Sequence, residues 1–544
     1  MRRSRPAAPN GEWGPRGEGR LGKVAPHRLV TTLEERWAEI ETDFHRAYWD
    51  SQTDADPATD RRRVELELEL RRVKGDRASL ESVRAALEDP IHDPVLRRQL
   101  EVLSLSLSGN QMSDDQRAGI VELAGAVESE FASYRPEVDG RSMSDNDLEE
   151  ILKSSDDDDL RRRAWAASKE IGAVVSERVR ELARIRNQVA RDLGFADHYR
   201  MALDLQEIDE DWLFDMLGRL ESLTEQPYGA WKADLDARLR KRFGTSELRP
   251  WHYADPFFQS LPPDGRISLD KVLGDEDAVR LAQTTFDLWG IDLSRVMETS
   301  DLYPRERKCQ HAFCLDVDRS GHDVRILANV VPGERWVEVM LHESGHAAYD
   351  VAIDPQLPYL LHRAAHTFVT EAVAILSGRL VRDPEWMESV AQVPGSEVED
   401  IATGLRTATT AQALLFARWG LVMVHFERDL YADPEADLDA RWWELVERFQ
   451  LVRAPDRAAP DWAAKIHLAV APVYYHNYLL GELFASQLRA TCVAECGGLV
   501  GVREAGRLLT ELVCRPGALL RWDAVVESST GRALTPDDFA ASLE

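Results

Sequence analysis

Cysteine is scarce in this chain, and its apolar runs are short. The five cysteines are Cys309, Cys314, Cys492, Cys496 and Cys514, an odd count with no CxxC pair. That excludes a disulfide framework and predicts reduced thiols in a cytoplasmic protein. Cys492 and Cys496 are four apart, but nothing near them in sequence completes a metal site. No apolar run is long enough to cross a bilayer. Residues 1–26 are rich in Arg, Pro and Gly and hold no apolar run. They read as a disordered basic tail, not a secretory signal. Positive charge is in deficit: 67 Lys and Arg face 96 Asp and Glu, a net charge of −29. This argues against nucleic acid or an anionic membrane as partner. No Pro/Gly/Ser linker divides the chain after residue 30, and no fixed-period repeat is visible. Residues 27–544 are therefore expected to form one unit, acting as a monomer.

What the chain does have is helical periodicity. Residues 30–53, 60–88, 92–108 and 113–135 carry spaced apolar positions and many i,i+4 charge pairs. Asp145 opens another helix, and the acids after Ser154 begin a long one over 158–193, since acids suit the positive helix end. Val324, Ile326, Ala328 and Val330 alternate as in a strand. Asp318–Gly321 can turn a hairpin between it and the stretch from Gln310 to Cys314.

The most informative stretch is His342-Glu343-Ser344-Gly345-His346, which reads HExxH. Two histidines four apart on a helix point the same way, so both rings can reach one metal ion. The glutamate between them points near the metal but not at it, where a general base belongs. Trp336, Val337, Met340, Leu341, Gly345 and Ala348 make an apolar stripe bordered by the histidines, so the helix is partly buried. Gly345 costs such a helix about 1 kcal/mol relative to Ala. A close helix contact, or a substrate passing near, would explain it.

A catalytic zinc site needs a third ligand and an open fourth position. Residues 367–378 read as a second, apolar helix, and Glu371 is the only acid between Asp354 and Asp383. A charge in so apolar a segment must be paired or metal-bound. A buried pair with Arg379 or Arg363 is the bland alternative. His362 and His366 are rival third ligands, but their less regular run suits the cleft lining or rim.

HExxH followed 25 residues later by a helix-borne glutamate is the glutamate-zincin pattern. From His342 to Gly378 the chain resembles the angiotensin-converting-enzyme-like dipeptidyl carboxypeptidases. It also resembles the related thimet-oligopeptidase and oligoendopeptidase F families. The resemblance implies one zinc per chain, with His342, His346 and Glu371 as ligands and Glu343 as base. It extends to Lys465-Ile-His467 and Pro472-Val-Tyr474-Tyr475-His-Asn-Tyr478. There it implies Lys465 and Tyr475 for a peptide's terminal carboxylate, and His467 and Tyr478 for the scissile carbonyl. Donors of this kind suit an oxyanion, and a lysine suits a carboxylate. The same resemblance puts His311 and Ala312 on an edge strand that pairs with extended substrate.

The chain departs from the converting-enzyme pattern in several places. Ile375 stands where an acid orients a zinc histidine, so another acceptor must do that work. The gap from His467 to Tyr475 is one residue longer. Asn477 replaces the chloride-binding arginine, and no carboxylate-gripping glutamine is evident near Trp251–Tyr253. The resemblance spans roughly residues 35–540 and is dense from 300 to 490.

The expected fold is mainly α: a two-lobed, neurolysin-like helical zincin with a deep central cleft and a small β element beside the motif helix. Residues 27–250 would be mostly channel-wall helices, and 251–544 the zinc-binding catalytic part. The expected function is zinc-dependent hydrolysis of short peptides by release of C-terminal dipeptides. The alternatives are an oligoendopeptidase, a non-catalytic zinc-fold scaffold, and a pathway-specific amide hydrolase.

Overall fold

The computed structural model describes residues 25–262 and 269–543. Most of the expected basic tail lies outside them; Pro26 already opens the first helix. The chain is 69% helix against 3% strand, so the mainly α class holds. The N-terminal helices run Pro26–Thr53, Pro57–Lys74, Arg77–Leu87, Pro94–Ser108 and Asp114–Ser133. Two longer ones follow, Asp158–Asp192 and Glu210–Phe243. Several start on a proline behind an aspartate, which fixes the first φ and caps the free N–H groups. The single helix expected over 60–88 is two. Gly75 ends the first, and the Asp76 carboxylate accepts from Ser79 N at 2.9 Å to start the second.

Two antiparallel hairpins complete the secondary structure among the described residues. One pairs β1 (Glu137–Val138) with β2 (Arg141–Ser142); the sequence reading missed it. The other pairs β3 (Phe313–Asp316) with β4 (Val324–Leu327), Phe313 opposite Leu327 and Asp316 opposite Val324. The expected turn at Asp318–Gly321 joins them. This hairpin packs on the helix Glu334–Ala352, which carries the HExxH motif and is called the motif helix below.

The first helix is tied to that hairpin. Glu41, 4% exposed, accepts from Lys74 Nζ at 2.9 Å, Arg319 at 2.7 Å and Tyr359 Oη at 2.9 Å. His45 Nδ1 lies 3.0 Å from the carbonyl of Val317. The Phe313 ring packs against Tyr48 and Trp49, with centroids 5.5 and 6.1 Å away.

Three helices form the centre: the motif helix, the glutamate helix Thr367–Gly378 and the tyrosine helix Tyr475–Thr491. Glycine lets them touch. A Cβ on Gly345 would stand 2.5 Å from Ser377 Oγ and 2.6 Å from Ala374 Cα. A Cβ on Gly481 would stand 3.2 Å from Glu371 Cβ. The close helix contact is thus the reason for Gly345. Around this stack one apolar core draws on residues from Val127 to Leu543. A smaller one joins the N-terminal helices to Leu360.

Candidate active site

The stack brings the motif residues to one cavity of about 550 Å³. Ala312, Phe313, Cys314, His342, Glu343, His346, Glu371 and Tyr478 all line it. Glu371 Oε2 lies 3.8 Å from His342 Nε2 and 3.9 Å from His346 Nε2. Among the described residues, this trio is the only group of three or more His, Cys, Asp or Glu whose ligand atoms all fall within 4.8 Å. Four tetrahedral ligands about 2.1 Å from one ion lie roughly 3.4 Å apart, so a zinc-sized ion fits after a shift of a few tenths of an ångström.

The hydrogen bonding suits a metal. His346 Nδ1 lies 2.8 Å from Thr370 Oγ1, and the His342 ring bonds the Ala374 carbonyl. A ring that donates from Nδ1 keeps Nε2 bare for a metal. Thr370 thus stands in for the acid that Ile375 replaces. Burial, helped by His342, lowers His346 to about 3, so it is neutral at pH 7. Burial raises Glu371 to about 6, opposed by Tyr474, whose hydroxyl donates to Glu371 Oε1 at 3.4 Å. Burial, and then the Glu371 charge, raise Glu343 to about 8. These unfavourable burials are what a cation in their midst would offset.

The bland explanations for Glu371 fail. Arg379 pairs with Glu482 instead. His362 and His366 are buried outside the trio and outside the cavity lining, and His366 caps the glutamate helix by accepting from Phe368 N.

A second cluster adjoins the cavity. Lys465 Nζ donates to Gln259 Oε1 at 3.0 Å and sits 5.1 Å from the Trp419 ring. Tyr475 Oη accepts from Trp419 Nε1 at 3.3 Å. The His467 ring lies 5.3 Å from Tyr475, and the Tyr478 ring lies 5.5 Å from Tyr475. Tyr478, which lines the cavity, therefore joins this cluster to the trio of His342, His346 and Glu371. Gln259 is a polar partner for Lys465 that sequence reasoning missed, in an irregular loop some 200 residues away. His311 is exposed and does not line the cavity, whereas its neighbour Ala312 does.

Residues 24–247 match the family model for angiotensin-converting enzyme, and residues 297–544 match that for peptidase family M3. The chain belongs to the angiotensin-converting-enzyme-like and M3 metallopeptidases. No curated protein matches it. Peptidases of these families depend on zinc. In this metallopeptidase the second match contains the HExxH helix, the glutamate helix and the tyrosine helix. No described helix is long and apolar enough to cross a membrane.

Proposed function

We propose that the peptidase is zinc-dependent and releases dipeptides from the C-termini of short peptides. The observation that carries this is the placement of Glu343, His342, His346 and Glu371 in one cavity, with the Lys465–Gln259 pair one tyrosine away. Held by His342, His346 and Glu371, zinc would supply Lewis acidity, polarising the scissile carbonyl and making water a nucleophile near neutral pH.

The chain's own residues do the rest. Glu343 takes a proton from the attacking water and delivers it to the leaving amine. Tyr478 stays protonated, because burial and the Glu371 charge raise its pKa, so it can donate to the oxyanion. Burial and then Lys465 lower His467 to about 4, leaving a neutral ring with one N–H to donate. Lys465, lowered by burial to about 8, is still mostly charged at neutral pH. With Gln259 and Tyr475 it offers a terminal carboxylate one cation and two neutral donors. Ala312 presents backbone for an extended peptide. The unpaired cysteines support a reducing compartment such as the cytoplasm.

A second reading, hydrolysis of internal bonds, has one observation behind it: the half that carries the site matches peptidase family M3. The test compares one peptide as free acid and as C-terminal amide. If Lys465 grips the carboxylate, amidation removes one charge-assisted hydrogen bond, about 1.5–3 kcal/mol. kcat/KM then falls roughly ten- to a hundredfold. Lys465→Met should reproduce the loss on the acid and add almost nothing on the amide. Equal cleavage of acid and amide at internal bonds would leave only the second reading.

A further inference from the structure

Asp350 lies one helical turn beyond His346 on the motif helix and lines the same cavity. Its carboxylate makes no hydrogen bond and no ion pair among the described residues. Of the other acids in the lining, only Glu343 is likewise without a hydrogen bond or ion pair among the described residues. Glu371 faces the histidines, Glu343 stands beside them, and Glu482 pairs with Arg379. Among the described residues, no lysine or arginine lines the cavity.

The surroundings of Asp350 do not supply the missing cation. Asp316 is a second acid near it, and its Oδ1 is buried with no hydrogen-bond partner among the described residues. Arg319 attracts Asp350 but is spent on Glu41, at 2.7 Å. His362, 3% exposed, lies 3.9 Å from Asp316, and neither ring nitrogen has a hydrogen-bond partner among the described residues. Burial lowers its pKa, so it is neutral. Burial, and then Asp316, push Asp350 up to about 8 against the pull of Arg319. A carboxylate left unpaired on a cleft wall, beside a second acid, is favoured when a ligand brings the opposite charge.

Resting on the peptidase reading above, we infer that Asp350 is a specificity-determining residue, selecting peptides that place a cationic group beside the scissile bond. The shared chemistry is an ammonium or guanidinium. A lysine or arginine side chain can bring it, and so can a free N-terminus. The cavity that Asp350 lines also holds Phe313 and Cys314, which offer a long side chain apolar contact before its charged tip.

The test uses the zinc-loaded full chain and a neutral parent peptide. One lysine is moved across the positions, each peptide having an Nε-acetyllysine twin. A second pair differs only in acetylation of the N-terminus. At one position lysine should exceed acetyllysine in kcat/KM by about ten- to a hundredfold, the range of a buried charge-assisted hydrogen bond. In Asp350→Asn that ratio should collapse to within about twofold, whatever the variant's absolute rate. Asp350→Glu should keep part of it. A ratio that follows the N-terminal amine upholds the cation site and assigns it to the chain end. Should Asp350→Asn not fold, the wild-type ratio still decides. Ratios near one at every position, or an undiminished ratio in Asp350→Asn, overturn the inference. Failure to cleave any of the peptides would instead overturn the peptidase reading beneath it.

Discussion

Replacing Gly345 by alanine sets two opposed effects against each other at one position. In an open helix interior, alanine is better than glycine by about 1 kcal/mol. At Gly345 the added methyl would stand 2.6 Å from Ala374 Cα and 2.5 Å from Ser377 Oγ. Carbon atoms prefer about 3.5–4.0 Å, so the helices must part by roughly 1 Å. Overpacking of this kind costs about 1–3 kcal/mol. Backbone stands on the far side and cannot rotate away, which places the cost near 3. The net effect is a loss of about 2 kcal/mol. Gly125, inside the helix Asp114–Ser133, has nothing within 4 Å of an added Cβ. Gly125→Ala should therefore gain up to about 1 kcal/mol. Urea midpoints of the chelator-treated proteins would show shifts of opposite sign. Gly345→Ala should also bind zinc more weakly, because parting the helices draws both histidines away from Glu371. If Gly345→Ala is stabilised as Gly125→Ala is, the helix contact is not why that glycine is there.

Three further outcomes are expected. Glu371→Ala should be purified with less than stoichiometric zinc; full occupancy by elemental analysis would remove Glu371 from the ligand set. Glu343→Gln should keep its zinc and its fold while kcat falls by about 10²–10⁴, the usual loss of a positioned acid–base group; near-normal turnover would exclude it as base. Burial alone would raise Glu41, but Arg319 and Lys74 hold it down to about 2 from 4.5. That depression contributes about 3 kcal/mol at neutral pH, fully present above pH 4.5 and lost as the pH falls toward 2. Glu41→Gln should therefore melt well below the wild type at pH 7, with a gap that narrows in acid; a constant gap would contradict the ion-pair account.

The legible parts of the sequence were those with short-range grammar. HExxH places two rings on one helix face whatever surrounds it, and Glu371 stood out as a lone charge in an apolar helix. The hairpin was legible from alternation at Val324–Val330 and turn residues at Asp318–Gly321. What stayed hidden depends on long-range approach. Gln259 meets Lys465 from a loop without periodicity. Thr370 supports His346 from the position before Glu371, and nothing in the residue type announces that. The break at Gly75 was masked because charge pairs on both sides follow helical spacing. His311 and Ala312 are neighbours in sequence, yet only Ala312 reaches the cavity, because His311 lies in an exposed bend before the β3 strand begins.

The first helix has a consequence that its distance from the motif conceals. Phe313 lines the cavity from one face of the β3 strand and rests on Tyr48 and Trp49, while Glu41 and His45 hold the turn that follows. The strand is thus clamped between the motif helix and a helix from the far end of the chain. Any swing of that first helix would carry with it the strand proposed to dock the substrate. On the proposed function, admission of a peptide and its alignment in the cavity would then be a single degree of freedom, not two events that must be coordinated.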